Sequence, residues 1–224
     1  MVPGYDQNRP FEIFNVVSAQ ILRSLKQFAP FGWMLQNDVD DSRSHAICFG
    51  KKVLGVRLSQ CLSQGQHQLL TRAGLGNKLY FPVQEYPDSE IASLVRAASE
   101  MTGQPTLALL EDFGQFIVPS LLRMYGHLLK PGWKSIDVIE HTEGTVHTVV
   151  RVQNPGAKPP QLMSQRLSNN EVLMVYDSPR RMCALAIGIA KGLALHYGEH
   201  IVIREAICMH RGANRCEILF RTIA

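Results

Sequence analysis

The chain has few of the features that mark several protein classes. Only 19% of its 224 residues are charged, and 23 lysines and arginines against 19 acidic residues leave a net charge of +4. There is no dense basic block and no basic stripe interleaved with aromatics, which argues against nucleic acid as a partner. No uninterrupted apolar run reaches the roughly 18 residues that suggest a membrane span. The opening Met1-Val2-Pro3-Gly4 lacks signal-peptide character, so a cytoplasmic protein is expected. Cysteines number five. An odd count in such a compartment speaks for reduced thiols or metal ligands rather than a disulfide framework. Cys208 and Cys216 lack a close CxxC spacing, and no nucleophile–base arrangement stands out, so no enzyme is predicted. Repeats and low-complexity tracts are missing too. What the chain does have is 46% hydrophobic residues, enough to bury a substantial core.

The apolar pattern changes along the chain. In residues 10–28, Ile13, Val16, Val17, Ile21, Leu22 and Leu25 recur at helical spacing, with Pro10 suited to a first turn. The polar, acidic stretch 37–44 then reads as a linker, which sets an extension at 1–49 apart from a domain at 50–224. A helical region at 53–73 ends at Gly74, and a second helix is predicted from a cap at Asp88 to about Met101. After Gly103, Leu107, Leu110, Phe113, Phe116 and Ile117 form the stripe of a long buried helix, which Pro119 is expected to kink. Beyond Pro160 the period shifts to two. Strands at 161–167 and 171–177 flank the turn Ser168-Asn169-Asn170, a helix follows over 179–197, and strands at about 200–208 and 215–222 close around Gly212. The pattern predicts an α+β fold, a helical amino-terminal part joined to a four-stranded antiparallel sheet crossed by one helix.

Between these parts lies a chemical inventory. His147 is followed by Pro159-Pro160 and then by Tyr176, Ser178 and Arg180 at alternate positions. A neutral imidazole is a good axial ligand for haem iron, and three donors pointing one way from an extended strand suit the two propionates of that group. The β-branched residues around His147 leave helix and strand open on periodicity alone.

This order of residues resembles the haem-nitric oxide/oxygen-binding (H-NOX) domains, whose signature is a proximal His, a proline and a Tyr-any-Ser-any-Arg motif, here Tyr176-Asp177-Ser178-Pro179-Arg180. The resemblance extends over roughly 50–222, and it decides for a helix at His147. It implies haem b between the helical part and the sheet. His147 is then the iron ligand, Pro160 packs on the porphyrin, and Tyr176, Ser178 and Arg180 clamp the propionates. It also places Leu185 where oxygen-binding members carry a distal Tyr, which implies nitric oxide or carbon monoxide as ligand rather than oxygen. Output is then expected in trans, to a signalling protein such as a histidine kinase or a cyclic-nucleotide enzyme. The helix at 10–28 is open to a packing or homodimer role.

The cysteines form a second constellation. Cys183 follows the clamp, and Cys208 and Cys216 are symmetric about Gly212. Three thiolates with one more ligand would make a tetrahedral zinc site. A subset of the same family holds zinc with three Cys and one His, and the position matching that His is Glu205, with His210 as a nearby substitute. Paired redox thiols are the competing reading. The ending Glu205 to Phe220 also resembles four-vinyl-reductase-type domains, which leaves a haem-free small-molecule-binding module as an alternative.

Overall fold

The computed structural model describes residues 67–76, 78, 86–153 and 156–223. The expected helix at 10–28 and the boundary at 49 lie outside these residues. The chain divides into two compact units at Leu109/Leu110.

In the first unit, residues 67–72 are helical and turn at Gly74, whose φ of 73° is left-handed. Helix α1 spans Asp88–Thr102. The expected cap is displaced by one residue. Pro87 (φ −59°, ψ 137°) occupies the cap position, with its carbonyl accepting from Glu90 N at 3.0 Å, and Asp88 is the first helical residue. Proline fixes φ and offers no N–H, so it starts the helix without a side-chain cap, while Asp88 and Glu90 favour the positive end of the helix dipole. Gly103, with φ 71°, stops the helix by donating to Ser99 O at 2.8 Å. Leu69, Ala97, Ala98 and Leu109 form a small core.

Helix α2, Thr106–Tyr125, runs through Pro119 without interruption. Short helix α3, Ser135–His141, begins where Asp137 Oδ2 accepts from Lys134 N (2.9 Å) and Glu199 Oε2 accepts from both Ser135 N (3.0 Å) and Ser135 Oγ (2.5 Å). These carboxylates satisfy donors that a helix start leaves orphaned. A single π-helical turn, Glu143–His147, then leads into α4, Thr148–Gln153.

Strands β1 (Gln161–Ser168), β2 (Glu171–Asp177), β3 (His200–Ile207) and β4 (Cys216–Ile223) form an antiparallel sheet in the order β1-β2-β4-β3. The period-two pattern decides its faces. Val172, Met174 and Tyr176 of β2 and Cys216, Ile218 and Phe220 of β4 point to the core, and between them they are at most 4% exposed. Helix α5, Cys183–His196, joins this core through Ala190 and Leu193.

This helix starts four residues later than its apolar pattern predicts. Arg181 takes a left-handed φ of 54° and donates its N–H to Ser178 O at 3.1 Å, so residues 178–182 turn before the helix can begin. Ser178 is correspondingly a turn residue rather than a helix cap, its Oγ accepting from Arg180 N at 3.3 Å. Helices α2 and α5 cross at backbone contact. A Cβ on Gly188 would lie 1.9 Å from Glu111 O, and one on Gly114 2.3 Å from Leu185 O. Glu111 and Lys191 pair beside the crossing.

Candidate cofactor face and thiol cluster

Three elements converge on one cavity. The π turn brings His147, the approach to β1 brings Pro160, and the end of β2 with the following turn brings Tyr176, Ser178 and Arg180. Leu185, Ile189 and Leu193 of α5, together with Ile139 and Phe220, complete an apolar lining. All six residues predicted for the cofactor therefore face one space. At about 170 Å³ the cavity is smaller than the several hundred Å³ of an enclosed cofactor site. These residues give the cavity an imidazole, two hydroxyls and a guanidinium on an apolar lining, one face for a ligand.

His147 is 15% exposed and its Nδ1 lies 2.9 Å from Glu143 Oε2. The same oxygen accepts from Leu162 N at 3.2 Å, and Arg151 Nη2 reaches Glu143 Oε1 at 2.7 Å. Burial alone would raise the Glu143 pKa, but hydrogen bonds from His147, Arg151 and the Leu162 N–H outweigh it and hold the carboxyl below its ordinary range. An ionised carboxylate only accepts, so Nδ1 carries the proton and Nε2 keeps the lone pair that a metal needs. Glu143 was not among the predicted residues. The i,i+4 spacing of Glu143 and His147 was the signal available for it.

Tyr176 is buried, and burial raises its phenol pKa against the opposing hydrogen bonds with the Ser178 side chain and the Met182 backbone. Tyr176 and Ser178 are thus fixed to each other and to the turn that presents Arg180. A guanidinium beside two hydroxyls matches the carboxylates of a haem edge. The donor set fits the group, with an imidazole nitrogen oriented by a carboxylate, a clamp for anionic oxygens and an apolar wall between them.

The cysteine cluster lies on the sheet side of α5. Ligand atoms of Cys183, Cys208, Cys216 and Glu205 all lie within 4.8 Å of one another. Cys208 Sγ is 3.9 Å from both Cys183 Sγ and Cys216 Sγ. Sulfurs bound at about 2.3 Å to a tetrahedral ion sit roughly 3.8 Å apart, so the spacing suits one. Burial first, and then the neighbouring sulfurs, push the Cys183 thiol far above its ordinary range, and burial likewise raises Cys216. The fourth member is Glu205, not His210. His210 is exposed, and its Nε2 lies 2.7 Å from Arg181 O, which directs the ring to the turn after the clamp and away from the sulfurs. Glu205 Oε2 pairs with Arg211 at 3.1 Å, while its Oε1 is buried with no hydrogen-bond partner among the described residues.

Comparison with known proteins agrees with this geometry. The Haem-NO-binding (HNOB) family matches residues 61–205. Among solved structures the chain is similar to an H-NOX protein from S. oneidensis in the Fe(II)NO ligation state, with a TM-score of 0.68 and 25% identity over 75% of this chain and 93% of that one. An H-NOX domain from Shewanella oneidensis in the Fe(II)CO state, solved by NMR, gives a TM-score of 0.66 and 25% identity over 75% and 92% of the two chains. A mutant H-NOX protein from T. Tengcongensis, at 19% identity and a TM-score of 0.62 over 70% and 86%, supports the fold alone. No curated protein matches the sequence. The family model spans residues 61–205, more than half of the chain, and the chain belongs to the Haem-NO-binding (H-NOX) family.

Proposed function

We propose that the chain is a haem-based gas sensor in which His147 holds the iron and Tyr176, Ser178 and Arg180 hold the propionates. The observation that carries this reading is the convergence of His147, Pro160 and the three clamp residues on one cavity. Haem b, when bound, would supply an iron able to take a diatomic gas, with His147 as the residue that would hold it. Leu185 presents no hydrogen-bond donor to that gas, and a polar iron-bound dioxygen needs one where nitric oxide does not. The ligands are therefore nitric oxide and carbon monoxide. Pro160 and the clamp would hold the sheet to the cofactor, so a change in how His147 is held would reach the sheet and the surface it offers a partner in trans. That partner is a histidine kinase or a cyclic-nucleotide enzyme, and the chain itself performs no catalysis. Among the described residues no helix is long and apolar enough to cross a membrane. The test is to titrate haem into the purified chain and record the ferrous spectrum before and after air and nitric oxide. A stoichiometric Soret band that ignores air and shifts to a five-coordinate form with nitric oxide is expected. Failure of specific uptake transfers the cavity to a haem-free ligand.

The thiol cluster has a second role in this reading, as a zinc site of three thiolates and the Glu205 carboxylate. The buried, unpartnered Glu205 Oε1 supports it, because a cation would satisfy that oxygen and reverse the penalty on the thiolates. Metal analysis of the purified chain should find one zinc per chain, lost in Cys216→Ser. A metal-free chain with three titratable buried thiols would leave the cluster to redox chemistry.

A further inference from the structure

We infer that Glu143 is the positioning residue of the iron ligand and the link through which that ligand acts on the sheet. The inference rests on the haem reading of His147 and goes beyond it, because nothing in the signature motif includes Glu143.

Three donors meet on this carboxylate. Its Oε2 faces His147 Nδ1 at 2.9 Å and accepts from Leu162 N at 3.2 Å, and its Oε1 takes Arg151 Nη2 at 2.7 Å. The backbone provides the setting. Residues Glu143–His147 form one π turn in which His147 N donates to Thr142 O, five residues back, at 3.0 Å. Single π turns are frequent at functional sites, and here the turn is bracketed by Glu143 and His147.

Two consequences follow from the chemistry. An ionised carboxylate on Nδ1–H fixes the tautomer, orients the ring and raises the donor strength of Nε2, which strengthens the bond to a metal. Arg151 shares the charge of the same carboxylate and so moderates that effect. The second consequence is mechanical. Oε2 holds both the imidazole and the backbone N–H of Leu162, the second residue of β1, two positions after Pro160. Any movement of the imidazole would pull on an oxygen already bonded to the edge strand of the sheet, so a change at His147 would reach β1 through Glu143.

Two variants separate the roles. Glu143→Gln keeps an acceptor for Nδ1–H without the charge, and Glu143→Leu removes both. In the ferrous haem-loaded chain, resonance Raman should show the iron–histidine stretch at lower frequency in both variants than in the parent. In the haem-free chain, nitrogen-15 chemical shifts of the His147 ring should report the Nδ1–H tautomer in the parent and in Glu143→Gln, and loss of that preference in Glu143→Leu. An unchanged stretch, or a tautomer indifferent to Glu143→Leu, overturns the assignment of Glu143 while leaving the sensor reading intact. A parent chain that takes up no haem overturns the sensor reading and this inference with it.

Discussion

In the proposed site Arg180 and His147 would hold the cofactor in different ways, and their loss should differ in kind. Arg180 is exposed and lines the cavity, and the charge-assisted hydrogen bonds it would give a propionate are worth at most about 1.5–3 kcal/mol each. Arg180→Ala should therefore leave the ferrous spectrum unchanged and speed haem loss roughly ten- to hundredfold, measured by transfer to an excess of apomyoglobin. A loss rate equal to the parent's would remove Arg180 from the clamp. At this scale the sequence singled out His147, Tyr176, Ser178 and Arg180, which the fold brings to one cavity. It was less informative where a residue's role depends on what folds beside it. Glu143 acts through an i,i+4 neighbour and through a backbone N–H 19 residues away, and the latter cannot be read from spacing. His210 lies nearer to Cys208 in sequence than Glu205 does, yet its ring turns to Arg181 O.

Among the elements, the α2–α5 crossing and the α3–β1 junction hold the cavity walls. The carbonyl of Glu111 occupies the place of a Gly188 side chain, so Gly188→Ala forces two backbones apart. The expected loss is about 1–3 kcal/mol in urea unfolding, with a deletion of side-chain bulk elsewhere on α5 unable to mimic it. At the second junction, Arg166 binds Asp137 at 2.5 Å and Glu140 at 2.7 Å and ties β1 to α3. Burial works to raise the Asp137 pKa, but the Lys134 N–H and Arg166 prevail and lower it. A lowered carboxylate pKa gives stability that is full above the unfolded value near 3.9 and lost as pH falls through the folded value. Arg166→Leu should thus cost about 1 kcal/mol at neutral pH, with the gap to the parent closing below about pH 4 in denaturant titrations. The strands and the longer helices were legible from periodicity, as β2 alternates in burial with its sequence, whereas the short helices Ser135–His141 and Thr148–Gln153 were not. The start of α5 was not, because the apolar pattern runs on through Met182 while the left-handed Arg181 delays the helix. The π turn at Glu143–His147 also left no trace, as one extra residue per turn hardly disturbs a β-branched pattern.

For the molecule as a whole, the α+β fold and its four-stranded sheet were readable because period-two and period-3.6 segments follow one another without overlap. The division at Leu109/Leu110 falls inside α2, where apolar spacing is continuous, so no composition shift announced it. A cofactor that binds only the folded chain adds stability by mass action, about 2.7 kcal/mol at a hundredfold excess over Kd, and ties the state of the cavity to the whole fold. The central claim is that His147 ligates the iron of a gas-sensing haem. It is tested most directly by the ferrous absorption spectrum of His147→Gly beside the parent, with and without added imidazole. The account predicts that the variant loses the parent's Soret band and that imidazole restores it. A variant whose ferrous spectrum matches the parent's without imidazole would show that another residue holds the iron.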